Sequence, residues 1–261
     1  MSSSPLHPAH GAVRQITRDG ELDTVAVEEP LEIRVDGDPV AVTMRTPGHD
    51  GELALGFLYG EGLIGEPRNV SLTEDFAANT VVVTGPLLRE LDSRRFYTTS
   101  SCGVCGKGAI EEISVQGPAA QPGWRGAALS RSLLAGLPDH LIQPGFARTG
   151  GLHATGLFDS GLNLLCVRED VGRHNAMDKV VGWALQHGLL PLTDSVLCVS
   201  GRLSFELVQK AAMAGAPVLV GVGAPTSLAV DLAAERGLTL CGFARGERIN
   251  VYTGAERIKK S

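Results

Sequence analysis

The sequence predicts an α/β protein: a mixed, largely parallel sheet covered by helices, joined to a smaller N-terminal α+β part. Three observations predict it. In the last hundred residues, short apolar runs ("LNLLCVRED", "DSVLCVSG", "APVLVGVG", "LTLCGFARG") alternate with helical stretches. The runs are continuously apolar rather than alternating, as in strands buried on both faces. Each run ends in a polar or Gly-rich turn, where sheets of this kind bind ligands.

The elements follow in chain order. Residues 1–15 are Ser-, Pro- and His-rich without period and are expected to be a disordered tail. Residues 21–46 alternate apolar and polar around Asp36-Gly37, which reads as a β-hairpin. "GHDGELALGFLYGEGLI" places Leu53, Phe57 and Leu58 at helical spacing, with Asp50 as the expected cap. "NTVVVTG" reads as a strand and "PLLRELDSRRFY" as a helix. "LSRSLLAGLPDHL" reads as a short helix with Leu133, Leu134 and Leu137 on one side. Beyond the cysteine-bearing segment come three strand–helix pairs, with Gly188 ending the helix "HNAMDKVVGWALQHG", then the strand "LTLCGFARG", and "RINVYT" closes the series. The expected divisions are a tail over 1–15, an α+β part over 16–98, an α/β domain over 99–254 and a tail over 255–261.

Composition limits the function. Hydrophobic residues form 43% and charged residues 20% of 261, as in a globular chain with a substantial core. The net charge of −6 argues against bulk nucleic-acid binding. No apolar stretch is long enough to span a membrane, and the N-terminus lacks the pattern of a secretory signal. Five cysteines form no even framework, which fits a reducing, cytoplasmic setting.

"TTSSCGVCGKGAIEE" sets Cys102 and Cys105 two residues apart among glycines and serines. A structural zinc site needs four ligands, and Cys166, Cys198 and Cys241 fall inside expected strands, where cysteine is commonly a small buried hydrophobe. Half a metal site, a disulfide exchanger and plain loop cysteines stay open. A reactive thiol is favoured, because Gly103, Gly106 and Gly108 let backbone N–H groups turn toward the sulfur and Lys107 adds positive charge.

The strand ends carry the remaining chemistry. "TGGLHATGLFD" offers His153, either a hydrogen-bonded strand-end histidine or a proton shuttle and ligand contact. "REDVGRHNAMDK" puts Arg173 and His174 at a helix N-terminus, which attracts anions, with Asp178 and Lys179 one turn on to orient them. "SGRLSFELVQK" supplies Arg202 to grip a phosphate and Ser204 to cap a helix. "GVGAPTSLAV" sets Thr226 and Ser227 at another helix start, yet lacks the Gly-Lys-Ser/Thr of a P-loop. "FARGER" ends the row with Arg245 and Arg248. Several phosphate-holding turns on one rim suggest a large ligand with several phosphates.

Taken together, "CGVCG", "EDVGRHNAMDK", "SGRLSFELVQKAAMAG", "APTSLAV" and "GFARGERINVYT", with "GELALGFLYGEGLI" near the front, resemble the FdhD family of formate dehydrogenase accessory sulfurtransferases over about residues 20–254. The resemblance implies a carrier that takes persulfide sulfur from a cysteine desulfurase. It passes that sulfur to the molybdenum bis(guanine dinucleotide) cofactor destined for formate dehydrogenase. It implies Cys102 as carrier, Cys105 as assistant, and a cofactor-binding segment Phe243, Ala244, Arg245, Gly246, Glu247 and Arg248. His153, Arg173, His174, Arg202, Ser204 and Thr226 would line the same seat. It also implies a fold similar to cytidine deaminases, a homodimer, and no permanent metal. Gly201 departs from the serine expected there, and the zinc motif of the deaminases is absent, with no His-x-Glu in the chain. Two other readings stay open: a cofactor-binding chaperone without sulfur chemistry, and a zinc-dependent nucleobase hydrolase.

Overall fold

The computed structural model describes residues 11–72, 79–89, 124 and 126–259. The cysteine pair at 102 and 105 and most of the helix expected over 86–97 lie outside them. The described start of that stretch, residues 86–89, is not helical.

The chain opens with two hairpins. β1 (Val13–Arg18) pairs with β2 (Glu21–Ala26), and β3 (Glu29–Val35) with β4 (Asp38–Arg45), both antiparallel. Asp19-Gly20 and Asp36-Gly37 both have positive φ at each residue, as a tight two-residue hairpin turn requires. The second turn is the one expected. The first carries the same Asp-Gly signal, so the expected tail is ordered pairing from Val13 onward.

α1 (Asp50–Gly60) follows, then β5 (Val70–Leu72) and β6 (Thr80–Val83). These strands complete a four-stranded sheet of order β4-β3-β6-β5. Asp50 does not cap α1. His49 holds the cap position at φ 60, and Asp50 instead takes Arg45 Nε and Nη2 at 3.0 and 2.9 Å. The reason is burial: Arg45 is 1% exposed and needs a carboxylate partner there.

The second half begins with α2 (Arg131–Gly136), a 3-10 turn over Leu137–His140 and α3 (Pro144–Thr149). Leu134 and Leu137 are buried, but Leu133 is 60% exposed and does not share their side. β7 (His153–Phe158) and β8 (Leu164–Asp170) then form a hairpin. α4 (Arg173–Gln186), β9 (Val196–Val199), α5 (Phe205–Met213), β10 (Val218–Gly221), α6 (Ser227–Glu235), β11 (Thr239–Arg245) and β12 (Arg248–Val251) follow. Gly188 sits at φ 66 just past α4, where a helix-ending glycine is expected. Residues expected as a C-terminal tail fold back: Ile258 bridges Leu129, and Arg257 is 8% exposed.

The large sheet has the order β12-β11-β10-β9-β7-β8. It is mixed, as expected, but not largely parallel. β9, β10 and β11 run parallel, while β7 is antiparallel to both β8 and β9, and β12 to β11. The short connections of the β7–β8 and β11–β12 hairpins dictate this, because parallel neighbours need a crossover. Two reversals cancel, so β8 points the same way as β9, β10 and β11. Their carboxyl ends therefore share one edge of the sheet.

Leu157, Val199, Leu219 and Leu240 pack one face of this sheet onto Met177, Val181, Leu207 and Ala233 of α4–α6. Cys198, Val220 and Cys241 pack the other face onto Leu134 and Leu137. α1 bridges the two halves. Its Leu53, Leu55 and Leu58 join the core of the four-stranded sheet, while its backbone meets α4 glycine to glycine. A methyl group on Gly56 would overlap the Asp178 carbonyl oxygen, and one on Gly182 the Glu52 carbonyl oxygen. Only glycine lets the two backbones approach so closely.

Candidate functional site

Asp170, wholly buried at the end of β8, builds the start of α4. Its Oδ1 accepts Gly172 N–H at 2.8 Å and Asn175 Nδ2 at 3.1 Å. Its Oδ2 accepts Thr46 N–H at 3.1 Å and pairs with Lys179 Nζ at 2.7 Å. Lys179, 1% exposed, also donates to Thr46 O and Glu169 O. The neighbouring charges are equally committed. Arg168 forks onto Glu52, with one contact of 2.8 Å, and Glu169 accepts the Gly145 and Phe146 N–H groups that open α3. Much of "REDVGRHNAMDK" is thus internal scaffolding. Lys179 and Asp178 do not orient Arg173 and His174 as expected: Lys179 serves Asp170, and Asp178 pairs with Lys210 at 2.8 Å.

The scaffold presents a cationic helix start. α4 has Gly172 at its cap, no side-chain cap, and no acidic residue in its first turn. Its first residue is the cation Arg173, placed where the helix dipole is already positive, and its second is His174. An anion is favoured at that end. The Nε of half-buried Arg173 is shielded from solvent without a hydrogen-bond partner among the described residues.

The next turn, after β9, faces it. His174 is 5% exposed, and its Nε2 lies 2.8 Å from Glu206 Oε2 and 3.2 Å from Ser204 Oγ. Carboxylate and hydroxyl meet the same ring nitrogen, so this is no Ser–His–acid relay, which needs the two on opposite nitrogens. The carboxylate fixes the ring instead. Ser204 stands at the cap position of α5, but its hydroxyl makes no cap bond there and turns to His174. The first N–H groups of α5 therefore lack a side-chain cap, like those of α4. Arg202 is exposed on this turn.

His153, half-buried at the start of β7, lies opposite Asp170 in register. A methyl group on Gly201 would come within 3.4 Å of its Nδ1, so the glycine leaves the ring open toward the turn. Burial first, then the charges of Arg173, His174 and Arg202, push its pKa below the ordinary 6.5 against the pull of Asp170.

The remaining turns are laced to these by main chain. Leu203 N–H donates to Ala224 O and Thr226 N–H to Leu203 O, both at 3.0 Å, and Phe243 N–H to Gly223 O at 3.2 Å. Gly223 is required here, since a methyl group would sit 2.9 Å from Arg202 Cα. Thr226 caps α6 by accepting Ala229 N–H at 3.4 Å, so its hydroxyl is engaged in the fold. Phe243 adopts φ 54 at a β-bulge and is 49% exposed. Arg245 and Arg248 pair across β11 and β12, exposed together with Gly246 and Glu247. Ala244 is 0% exposed, and its side chain faces the core. The expected seat is thus brought to one edge: His153, Arg173, His174, Arg202, Ser204, Thr226 and the Phe243–Arg248 hairpin. Glu206, which fixes His174, was legible in sequence as a member of the same turn as Arg202 and Ser204, but not as the partner of His174.

Cys166, Cys198 and Cys241 are free and buried. Burial pushes the thiols of Cys166 and Cys241 up to about 12 and that of Cys198 further, so none is a ready thiolate. Among the described residues no group of three or more His, Cys, Asp or Glu is placed to hold a metal. A cavity of about 340 Å³ lies along the outer edge of β8, lined by Leu165, Arg168, His49 and Ile142 among others, and contains none of the expected seat residues.

Comparison with known proteins agrees with the motifs. The family model described as the FdhD/NarQ family matches residues 26–259. The chain is 50% identical to the sulfur carrier protein FdhD of Mycobacterium tuberculosis, over 96% of this chain and 98% of that protein. It is 52% identical to the protein of the same name from Streptomyces coelicolor, over 92% of each. The crystal structure of a candidate formate dehydrogenase accessory protein from Desulfotalea psychrophila superposes with a TM-score of 0.74 at 27% identity, covering 95% of this chain and 98% of that one. The chain belongs to the FdhD/NarQ family.

Proposed function

We propose that this protein is a sulfurtransferase of formate dehydrogenase maturation. It accepts persulfide sulfur from a cysteine desulfurase on Cys102, assisted by Cys105, both outside the described residues. It delivers that sulfur to the molybdenum bis(guanine dinucleotide) cofactor as substrate. The observation that carries the reading is the cationic edge. Two helix starts without side-chain caps, Arg173 with its Nε unpaired among the described residues, Arg202, His153 and the Arg245–Arg248 hairpin converge there. Such a surface suits a ligand with several phosphates. The names of the relatives, sulfur carrier protein FdhD, support the sulfur half of the reading.

In this mechanism the seat supplies proximity rather than acid–base power. Arg173, Arg202, Arg245 and Arg248 neutralise the phosphates and hold the metal within reach of the Cys102 thiol. To become a sulfido ligand the terminal sulfane sulfur must gain two electrons; a metal delivered in its reduced state would supply them as the S–S bond breaks, and Cys102 would depart as thiolate. The protein works in the cytoplasm as a homodimer. Incubation with desulfurase and cysteine, followed by mass spectrometry, tests the carrier step: a one-sulfur adduct is expected on Cys102. Cys102→Ala is expected to bind the cofactor yet leave formate dehydrogenase inactive. Normal activation by that variant would leave a cofactor chaperone as the better description.

A further inference from the structure

We propose that His153 engages the seated phosphates as its imidazolium, so that binding of the anionic ligand draws one proton from solvent onto this ring. The inference rests on the reading of the edge as an anion seat and adds how that seat is gated.

The geometry sets the guanidinium groups of Arg173 and Arg202 about His153, with no carboxylate paired to either among the described residues. His153 is faced by Arg173 and His174 from the start of α4, by Arg202 from the turn after β9, and by Asp170 from β8. Asp170 is the one carboxylate of that set, and it is already committed to Thr46, Gly172, Asn175 and Lys179. Glu206, in the first turn of α5, is held against His174. His153 therefore shares its surroundings with three groups of positive or titratable character and has no carboxylate to itself among the described residues. Empty, the site disfavours a further positive charge. A phosphate placed between Arg173 and Arg202 reverses the local field, and an opposite charge within a few ångströms favours the charged imidazole. Gly201 leaves the ring edge uncovered on the side where that phosphate would lie.

Binding and protonation are then linked and reciprocal. Affinity is highest with His153 protonated. It falls by about tenfold per pH unit as pH rises between the titration points of the empty and the filled site.

Isothermal titration of the full chain with GDP-mannose tests this. That probe is a guanine diphosphate diester whose phosphates do not titrate near neutral pH, so any proton taken up comes to the protein. Titrations at about pH 7 in buffers of different ionisation enthalpy give the proton count. Wild type is expected to take up roughly half to one proton per site, and His153→Gln close to none. Binding without uptake by wild type, or equal uptake by both proteins, overturns the inference and leaves the anion seat standing. Failure of wild type to bind GDP-mannose overturns the seat itself. The pH profile of the wild-type Kd is a second measurement independent of the variant: a steep loss of affinity with rising pH supports the linkage, and a flat profile refutes it.

Discussion

Asp170→Asn removes one negative charge from a site with no solvent and leaves the shape almost unchanged. In the native protein the carboxylate satisfies two backbone N–H groups, the Asn175 amide and the Lys179 ammonium at 2.7 Å. An asparagine keeps a single acceptor oxygen and turns an NH₂ toward a donor, leaving a buried N–H unsatisfied at a cost of about 1–3 kcal/mol. Lys179, 1% exposed, then keeps its charge with only the carbonyls of Thr46 and Glu169 for company. Breaking one partner of such a buried pair costs about 3–5 kcal/mol. The two penalties overlap, since both arise from one charge, so the expected loss is about 4 kcal/mol, a large share of a typical domain's ~5–15 kcal/mol. Urea unfolding followed by circular dichroism measures it, and an unchanged slope would show that the denatured state is not involved. The double variant Asp170→Asn with Lys179→Met should lose much less than the sum of the single variants. A loss under about 1 kcal/mol for Asp170→Asn, or additivity within ~0.5 kcal/mol, would show that Asp170 does not hold the start of α4 as argued.

Three further outcomes follow from the same structure. Gly182→Ala pushes α1 off α4, because the added methyl meets the Glu52 carbonyl. It should cost about 1–3 kcal/mol and also weaken ligand binding, since α4 carries Arg173 and His174. A variant as stable as wild type would mean that the helices can part freely. Burial pushes the Glu52 carboxyl up, but Arg168 and His49 outweigh it and hold it below the ordinary 4.5. Its stabilisation is therefore fully present above pH 4.5 and lost as pH falls below that value, so the stability gap between wild type and Glu52→Gln should narrow on acidification. A gap that stays constant would contradict the pairing. Arg202→Ala should weaken GDP-mannose binding roughly tenfold or more and flatten its salt dependence, with little change in melting temperature, because the side chain is exposed. Titrations at two salt concentrations decide it.

Strand and helix identity in the last hundred residues was legible because the signals are local. Apolar runs such as "SVLCVS" and "PVLVGV" form strands wherever they fall, and Gly188 stops a helix by its own backbone freedom. Strand direction was not legible in the same way. Whether β8 pairs parallel or antiparallel depends on β7, whose "HATGLF" is short and interrupted by Gly156, and whose strand character is completed by its two neighbours. Charge was the other source of error. A charged run in sequence does not reveal which members pair internally. Arg168, Glu169, Asp170 and Lys179 are consumed by partners up to 133 positions away, and only Arg173 and His174 of that run remain to face the edge.

The antiparallel strand within the large sheet bears directly on the site. Had β8 joined β9 directly, Arg173 and His174 would start a helix one strand closer to Arg202, and no place would exist for His153. With β7 between them, β8 keeps its direction, so the α4 start still opens on the same edge as the α5 and α6 starts. β7 also brings its own first residue to that edge, and that residue is His153. A parallel strand in the same slot would deliver its last residue there and carry its amino end to the far edge. The reversal thus places a titratable ring between two cationic turns, on a strand held by hydrogen bonds on both sides. Rigid placement matters here, because a histidine on a loose loop could swing away from the cations and keep an ordinary proton affinity. Held as it is, the ring's charge state must follow the charge of whatever occupies the edge.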